Sequence, residues 1–306
     1  MPGRVSSKSH HTLGYHRLPG VATLSRITPL AISVIALTSQ QACQSAGAGT
    51  VPVLPREALR GETVSLDGVP PYFYPGEQMT WELRISGIEA GRARLATGAA
   101  TDGTVMVQAQ AEVSGLAAML RDARDEAATW VDLKTGLPAR TEAESEMSGR
   151  TQRVLAVRTA GESVMTMDVW RRSKDGVEKS ELRKQKLPAE KTHDSLSALL
   201  LLRGWTGPPG TRAVLYSMGG TRMWRTELLI EGAETIDTEL GQRKAVRISG
   251  TAHRMSSQLT DDKRRPPRHF TFWRSDDDER IPLLVKAETE FGEVIVEATS
   301  YTAPAR

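Results

Sequence analysis

The stretch QMTWELRISG at residues 78–87 decides the fold. Every second residue in it is apolar, namely Met79, Trp81, Leu83 and Ile85. A period of two is typical of a strand that buries one face and exposes the other. The same alternation recurs in three later stretches, at 104–113, 283–290 and 293–301. The chain is therefore predicted to consist mainly of antiparallel strands, separated by turn signals such as Asp102-Gly103.

One segment, THDSLSALLLLRGWTGPP at 192–209, breaks the strand pattern. Asp194 can cap a helix, the leucines supply its apolar face, and Gly204 suits a left-handed exit. These signals predict a helix over about 193–203. The spacing of Leu116, Met119 and Leu120 predicts a second, short helix over about 116–126, with an irregular crossover as the alternative. The predicted fold class is mainly β, with a curved antiparallel sheet or partly open β-barrel packed on one helix.

The chain divides into three predicted parts. Residues 1–42 are predicted to be a signal peptide, because the apolar run ITPLAISVIALT at 27–38 follows a basic segment and is too short to span a bilayer. Residues 43–68 are rich in Gly, Pro and Ala and are predicted to form a flexible tether, with a first irregular strand as the alternative. A single β-rich domain is predicted over 69–304.

The only cysteine of the chain, Cys43, directly follows the apolar run. Exported proteins avoid free cysteines because these oxidise or mispair, so Cys43 is predicted to be a lipidated first residue. The glutamines at 40–41 depart from the usual lipoprotein box, and cleavage after Ala48 is the alternative. The predicted location is the periplasm, anchored to the outer membrane because Gln44 is not the aspartate that retains lipoproteins inside. The alternative is a secreted or soluble periplasmic protein.

Charge argues against a nucleic-acid partner. The chain has a formal net charge of +3, but residues 1–42 carry four cations and no acid, so the remainder carries −1. Binding to a phosphate backbone would need an excess of Lys and Arg on one face. The predicted body has no such excess.

No motif in the body points to catalysis or a cofactor. Three histidines remain there, none with a second histidine at a ligand-like spacing: His193, His253 and His269. Nucleophile-elbow, dinucleotide and phosphate-loop motifs are absent from the sequence. The string HDSLS at 193–197 brings together His, Asp and Ser, but Asp194 and Ser195 have a simpler role as helix starters. The chain is therefore predicted to be non-enzymatic, without a metal or cofactor.

Tryptophan and methionine are frequent in the strand-like runs. Core packing is the plain interpretation, and the sharper one is an apolar cavity on the concave side of the sheet. Strand methionines would make such a lining adaptable. On the second interpretation, the candidate ligand-binding residues are Trp81, Leu83, Trp130, Trp170, Trp224 and Trp273.

Short motifs along the body carry a family resemblance. They are a Pro-Gly-Glu turn before the first strand, a glycine in the next strand, and the start and end of the helix: Pro75, Gly76, Glu77, Gly91, Asp194, Ser197 and Arg203. In order and spacing they resemble a bacterial envelope family, domain of unknown function three-one-zero-eight, over about 70–303. The resemblance implies an envelope protein with a partly open barrel, similar in shape to Lol-type lipoprotein carriers. It brings no catalytic residues.

Three functions from different classes follow as hypotheses. The first is non-enzymatic binding of an apolar or amphipathic ligand, such as a lipid or acyl chain, in the concave sheet. The alternative is an interaction or scaffold protein in envelope or polysaccharide assembly, with an envelope protein partner bound by rim loops 261–268 and 275–280. A hydrolase with an unrecognised site is the third hypothesis.

Overall fold

A computed structural model describes residues 63–114, 123–159, 161–289 and 292–303. Within these ranges one helix, α1 (Ser195–Gly204), accompanies a single large sheet. Its strands are β1 (Thr63–Val64), β2 (Gln78–Ile85), β3 (Ile88–Thr101), β4 (Thr104–Val113), β5 (Ala123–Asp132), β6 (Pro138–Met147), β7 (Arg150–Arg158), β8 (Val164–Arg172), β9 (Glu178–Lys186), β10 (Thr192–Asp194), β11 (Arg212–Gly219), β12 (Arg222–Thr238), β13 (Gly241–Arg254), β14 (Arg268–Ser275), β15 (Pro282–Thr289) and β16 (Gly292–Thr302).

The sheet follows chain order except at one join. Its order is β1-β11-β12-β13-β14-β15-β16-β2-β3-β4-β5-β6-β7-β8-β9, with β10 also paired to β11. All neighbours are antiparallel except β1 and β10, which run parallel to β11. The last strand, β16, pairs with β2, which brings the two ends of the body together. Strand β9 and the β1–β10 side form the two ends of the sheet, so among the described strands no backbone ladder closes it into a barrel.

Helix α1 lies against the inner face of the sheet. Apart from Ser195 and Gly204 at its ends, all its residues are buried, including five leucines. A helix that is apolar on every side belongs in a core rather than at a surface. It packs there with the inward residues of β2 to β4 and β11 to β16, among them Met79, Trp81, Leu95 and Phe272.

The predicted fold class is confirmed, with three corrections of detail. The helix begins at Ser195 and ends at Gly204. Residues 123–126 of the predicted short helix form the start of β5, because ladders to β4 and β6 outweigh local helix propensity. The rest of that predicted helix, up to residue 122, lies outside the described residues. The sheet begins at Thr63, so the last six residues of the predicted tether contact the domain.

Gly204 is needed for space and not for a left-handed exit. Its φ is not positive, and the chain leaves the helix through Trp205 in an extended conformation with φ −71° and ψ 125°. A Cβ at Gly204 would lie 2.3 Å from the carbonyl oxygen of Pro70. Glycine at this position therefore lets the segment before β2 cross the helix end.

Candidate functional site

Two charged residues of the predicted family motif, Glu77 and Arg203, meet inside the core. The Arg203 guanidinium donates from Nη1 to Glu77 Oε1 at 2.6 Å and from Nη2 to Oε2 at 2.9 Å. The side chains are 1% and 0% exposed for Arg203 and Glu77. Arg203 also donates from Nε to the carbonyl of Arg280 at 3.0 Å and from Nη2 to that of Glu279 at 2.9 Å. Buried charges need such complete partners, so the pair joins the helix end to β2 and to the β14–β15 loop.

Two tyrosines cover this ion pair. The Tyr72 ring centre lies 5.6 Å from the Arg203 guanidinium carbon and 4.4 Å from that of Arg280. The hydroxyls of Tyr72 and Tyr74 lie 3.0 Å apart, and both donate to the carbonyl of Asp278. Burial and the hydrogen bond with Tyr74 raise the pKa of Tyr72 to about 12, so its phenol is neutral at physiological pH. Sequence reasoning did not identify Tyr72, Tyr74 or Arg280 as part of this cluster.

The Pro-Gly-Glu motif is a type II turn that aims Glu77 into the core. Pro75 is its second residue and Gly76, with φ 85°, its third; the Glu77 amide donates to the Tyr74 carbonyl at 3.1 Å. The Tyr74 amide in return donates to Glu77 Oε1 at 3.1 Å. Gly91 serves packing, because a Cβ there would lie 2.2 Å from the carbonyl oxygen of Glu112 on β4.

Asp194 and Ser197 form a second buried polar network at the helix start. Asp194 Oδ1 accepts from the Ser197 amide at 2.8 Å and from its hydroxyl at 2.7 Å, while the Asp194 amide donates back to the Ser197 hydroxyl at 3.0 Å. Asp194 Oδ2 accepts from the hydroxyls of Thr141, at 2.6 Å, and Thr129. This is a capping box extended to β5 and β6. The Asp194 carboxylate thus accepts four hydrogen bonds, which gives this residue a structural role. No local signal in the sequence identifies the two threonines as its partners.

His193 lies beside this network and is 5% exposed. Burial, reinforced by the positive charges of Arg158 and Lys191, lowers the pKa of His193 to about 3, so the imidazole is neutral. Its Nδ1 has no hydrogen-bond partner among the described residues. Arg158 donates from Nη1 to the carbonyl of Glu190 at 2.7 Å and from Nη2 to that of Thr192, which fixes the segment before the helix.

Asp125 is a buried carboxyl on the inner face of β5. Burial raises its pKa to about 7, and a hydrogen bond from Ser145 on β6 opposes the change. The group is therefore close to half-protonated at neutral pH. Its position inside a predicted helix gave no warning of this burial.

A methionine cluster packs between the two ends of the sheet, where the inner face of β8 meets the face of β11 and β12 that lies opposite Leu215 and Trp224. We define it by five buried methionines, Met165 and Met167 of β8, Met218 of β11, Met223 of β12 and Met255 after β13. Val154, Ala156, Val169 and Leu187 complete its packing. Among the described strands, no backbone ladder joins β9 to β11 or β12, so the two ends of the sheet meet here through side chains. Hydrogen bonds also link them, from Arg183 Nη2 to the Thr221 carbonyl at 3.4 Å and from Arg158 of β7 to the Thr192 carbonyl of β10.

The six predicted ligand residues lie on both faces of the sheet. Trp81, Leu83 and Trp224 are on the inner face, each no more than 3% exposed, in the cluster that contains α1. The other three lie on the outer face beside arginines, with ring centres 5.1 Å, 5.0 Å and 5.6 Å from the guanidinium carbons of Arg140, Arg153 and Arg247: Trp130, Trp170 and Trp273. The structure therefore does not bring the six together in one cavity.

The acidic turn SDDDER at 275–280 lies against the buried ion pair. Asp277 Oδ1 accepts from the amides of Glu279 and Arg280, each at 3.0 Å. The turn then presents three backbone carbonyls, of residues 278–280, to Tyr72, Tyr74 and Arg203. Asp277 thus shapes a loop that holds the buried ion pair in place.

The described residues contain no group of three His, Cys, Asp or Glu side chains arranged to hold a metal ion. Within the same ranges, no helix combines the length and the apolar character needed to cross a membrane.

A solved structure with a TM-score above 0.5 shares the fold. A β-barrel-like protein of domain of unknown function DUF1849 from Brucella abortus superposes with a TM-score of 0.52 at 12% identity, covering 76% of this chain and 99% of that one. The Escherichia coli hypothetical lipoprotein YmcC aligns over 76% of this chain and 86% of its own at 8% identity, with a TM-score of 0.27. The Mycobacterium tuberculosis lipoprotein LppX aligns over 75% and 88% at 14% identity, with a TM-score of 0.23.

Sequence comparison identifies the family. No curated protein matches the chain in sequence. The family model "Protein of unknown function (DUF3108)" matches residues 78–299, which include nearly all strands and α1. The family predicted from the short motifs is confirmed: the chain belongs to DUF3108.

Proposed function

We propose that this protein is an exported envelope lipoprotein, anchored to the outer membrane through Cys43, that binds the acyl chain of an amphipathic ligand without catalysing a reaction. The methionine cluster is the observation that carries the proposal. An interior that admits a ligand must be able to change shape, and at this cluster the facing strands are joined by side chains and not by a backbone ladder.

The rest of the interior is held by fixed contacts. Continuous backbone ladders join β11 through β16 to β2 and on to β9, and the Glu77–Arg203 pair and the Asp194 network fix both ends of α1. At the methionine cluster the facing strands share side-chain contacts and the Arg183–Thr221 hydrogen bond. Separating the facing strands at the methionine cluster therefore breaks no backbone hydrogen-bond ladder.

Methionine suits an acyl chain. Its unbranched thioether has three rotatable bonds and adapts to irregular apolar shapes. In the larger core cluster, which surrounds α1, the buried residues are mainly Leu, Val, Ala and aromatic, with Met79 as its one methionine among the described residues. The five methionines of the second cluster therefore mark a different kind of lining, and the inner-face residues Trp81, Leu83 and Trp224 lie deeper in the core.

Arg183 supplies a charge for an anionic headgroup. It pairs with Met167 across β8 and β9, so both side chains project from the same face of the sheet. Its Nε has no hydrogen-bond partner among the described residues, although that atom is buried. A fatty-acid carboxylate beside Arg183, with its chain among the methionines, would satisfy this donor.

Titration with dansyl-labelled undecanoate tests the proposal. We expect saturable binding that palmitate displaces, weakened about tenfold in Met167→Gln because a polar amide replaces an apolar contact worth on the order of 1.5 kcal/mol. Met79→Gln is the matched control, since both methionines are no more than 1% exposed and only Met167 lies in the methionine cluster. If either glutamine variant fails to fold, the Met167→Leu and Met79→Leu pair replaces it. Equal weakening in both variants, or no binding at all, would contradict the proposal.

The alternative is a scaffold that binds an envelope protein through its rim loops. In loop 261–268, Asp261 accepts from Arg225 at 3.0 Å and 2.8 Å, and Asp262 accepts from Arg264 at 3.0 Å. The 275–280 loop is likewise used to hold the buried ion pair. Because Asp261, Asp262 and Asp277 are engaged within the molecule, the interior is the better-supported site.

A further inference from the structure

A groove lined by both polar and apolar residues crosses the outer face of the sheet from β2 to β7, with a volume of about 610 Å³. In its centre, Gln108 of β4 stands between Ala96 of β3 and Ala128 of β5 in register. The next row places Gln110 between Arg94 and Glu126. Small residues between long polar ones leave a trough with polar walls.

The groove is charged locally but balanced overall. Each of its three carboxylates has an arginine within ion-pair distance, in the pairs Arg124–Glu126, Arg140–Glu142 and Arg153–Glu144. Its two glutamines at the centre, Gln108 and Gln110, each offer a donor and an acceptor. The walls therefore present mixed hydrogen-bonding groups without a strong field of either sign.

We propose that this groove binds an extended, neutral, hydroxyl-rich chain, that is, an oligosaccharide. Sugar hydroxyls both donate and accept, which matches neighbouring amides, carboxylates and guanidiniums. A polyanion would find no excess of cations here, and an acyl chain would strip water from polar groups without replacing their hydrogen bonds. A peptide strand would find the backbone groups of these central strands already used by both neighbours.

The length of the groove fits several sugar rings. Six strands span five inter-strand spacings of about 4.8 Å, or about 24 Å in all. Two tryptophans stand beside it: Trp130 pairs in register with Arg140, and Trp170 with the groove residue Arg153. Both lie on the same outer face as the groove, so tryptophan fluorescence should change when a ligand binds there. This site is separate from the methionine cluster, so it stands whether or not an acyl chain binds inside.

The test uses three neutral probes, cellohexaose, chitohexaose and maltohexaose, which differ in linkage and in acetamido groups. Binding to the purified protein is followed by titration calorimetry and tryptophan fluorescence. We expect at least one to bind, with affinity lowered at least tenfold by Gln108→Ala combined with Gln110→Ala. Ala128→Tyr, which fills the floor of the groove, should abolish binding. Gln242→Ala, an exposed glutamine on β13, is the matched control.

Each outcome decides the proposal. Binding that is lost in the groove variants and retained in Gln242→Ala, with unchanged thermal unfolding of all variants, supports it. Failure of all three sugars to bind at millimolar concentration overturns it, as does binding that the groove variants leave unchanged. The Ala128→Tyr variant keeps the test decisive if the double glutamine variant is poorly folded, because it adds atoms to an outer face.

Discussion

Replacing Glu77 by Gln should destabilise the protein severely, although the two side chains have nearly the same shape. In Glu77→Gln the Arg203 guanidinium keeps its place in the core, and the acceptors left to it are the carbonyls of Glu279 and Arg280 and one amide oxygen. Removing one partner of a buried ion pair costs about 3–5 kcal/mol, because an uncompensated charge stays buried. That range is a large part of the stability of an ordinary domain.

The surface of the same protein offers a matched control. Arg153 and Glu144 form an ion pair at 2.7 Å with side chains 60% and 41% exposed. Water solvates both groups when the pair is broken, so Glu144→Gln should leave stability nearly unchanged. The two variants make the same chemical change and differ in burial.

Urea unfolding followed by tryptophan fluorescence measures both variants at pH 7. We expect a much lower midpoint for Glu77→Gln with a similar m-value, and no clear change for Glu144→Gln. Adding Arg203→Met to Glu77→Gln removes the stranded charge, so the double variant should lose less than the sum of its single variants. Equal midpoints for Glu77→Gln and Glu144→Gln would refute the reasoning that the buried pair fixes the helix end.

Three further variants test other contacts. The pKa of Asp125 is raised to about 7, so ionisation of this carboxyl lowers the stability of the protein as the pH rises from about 4 to 7. Asp125→Asn should flatten that pH dependence and raise the free energy of unfolding at pH 8 by up to about 4 kcal/mol, measured by urea unfolding. An unchanged pH profile would contradict this expectation. Asp194→Ala removes the cap and strands two threonine hydroxyls, so it should cost about 2–4 kcal/mol in urea unfolding, against no loss if the network were dispensable. Gly204→Ala places a Cβ 2.3 Å from the Pro70 carbonyl oxygen and should lower the melting temperature, whereas Gly98→Ala, with its nearest atom at 3.4 Å, should not; equal melting temperatures would exclude the close-contact argument.

Local patterns were sufficient to predict the fold class and several of its elements. Alternation of apolar residues marked β2, β4, β15 and β16, and capping and breaking signals marked α1 within two residues. These signals work because a strand or a helix end depends on neighbours in sequence. The same local signals gave one wrong prediction, a short helix that included residues 123–126. Arg124, Asp125 and Glu126 belong instead to β5, which is stabilised by its ladders to β4 and β6.

The contacts of the site depend on the order of the sheet, which short-range patterns do not encode. Glu77 and Arg203 were both identified by family resemblance, but they are 126 residues apart and meet only because β16 pairs with β2 and the helix lies across the inner face. The threonines that hold Asp194 come from two further strands. Strand methionines were identified as an adaptable lining, but their grouping follows from the way the sheet ends face each other.

Native mass spectrometry of the protein, purified without detergent, tests the central claim most directly. If the methionine cluster holds an acyl chain, a fraction of the protein carries one additional non-covalent mass of a fatty acid or lipid, and that mass is reduced in Met167→Gln and retained in Met79→Gln. A protein that carries no such mass, both as purified and after incubation with palmitate, would contradict the proposed function.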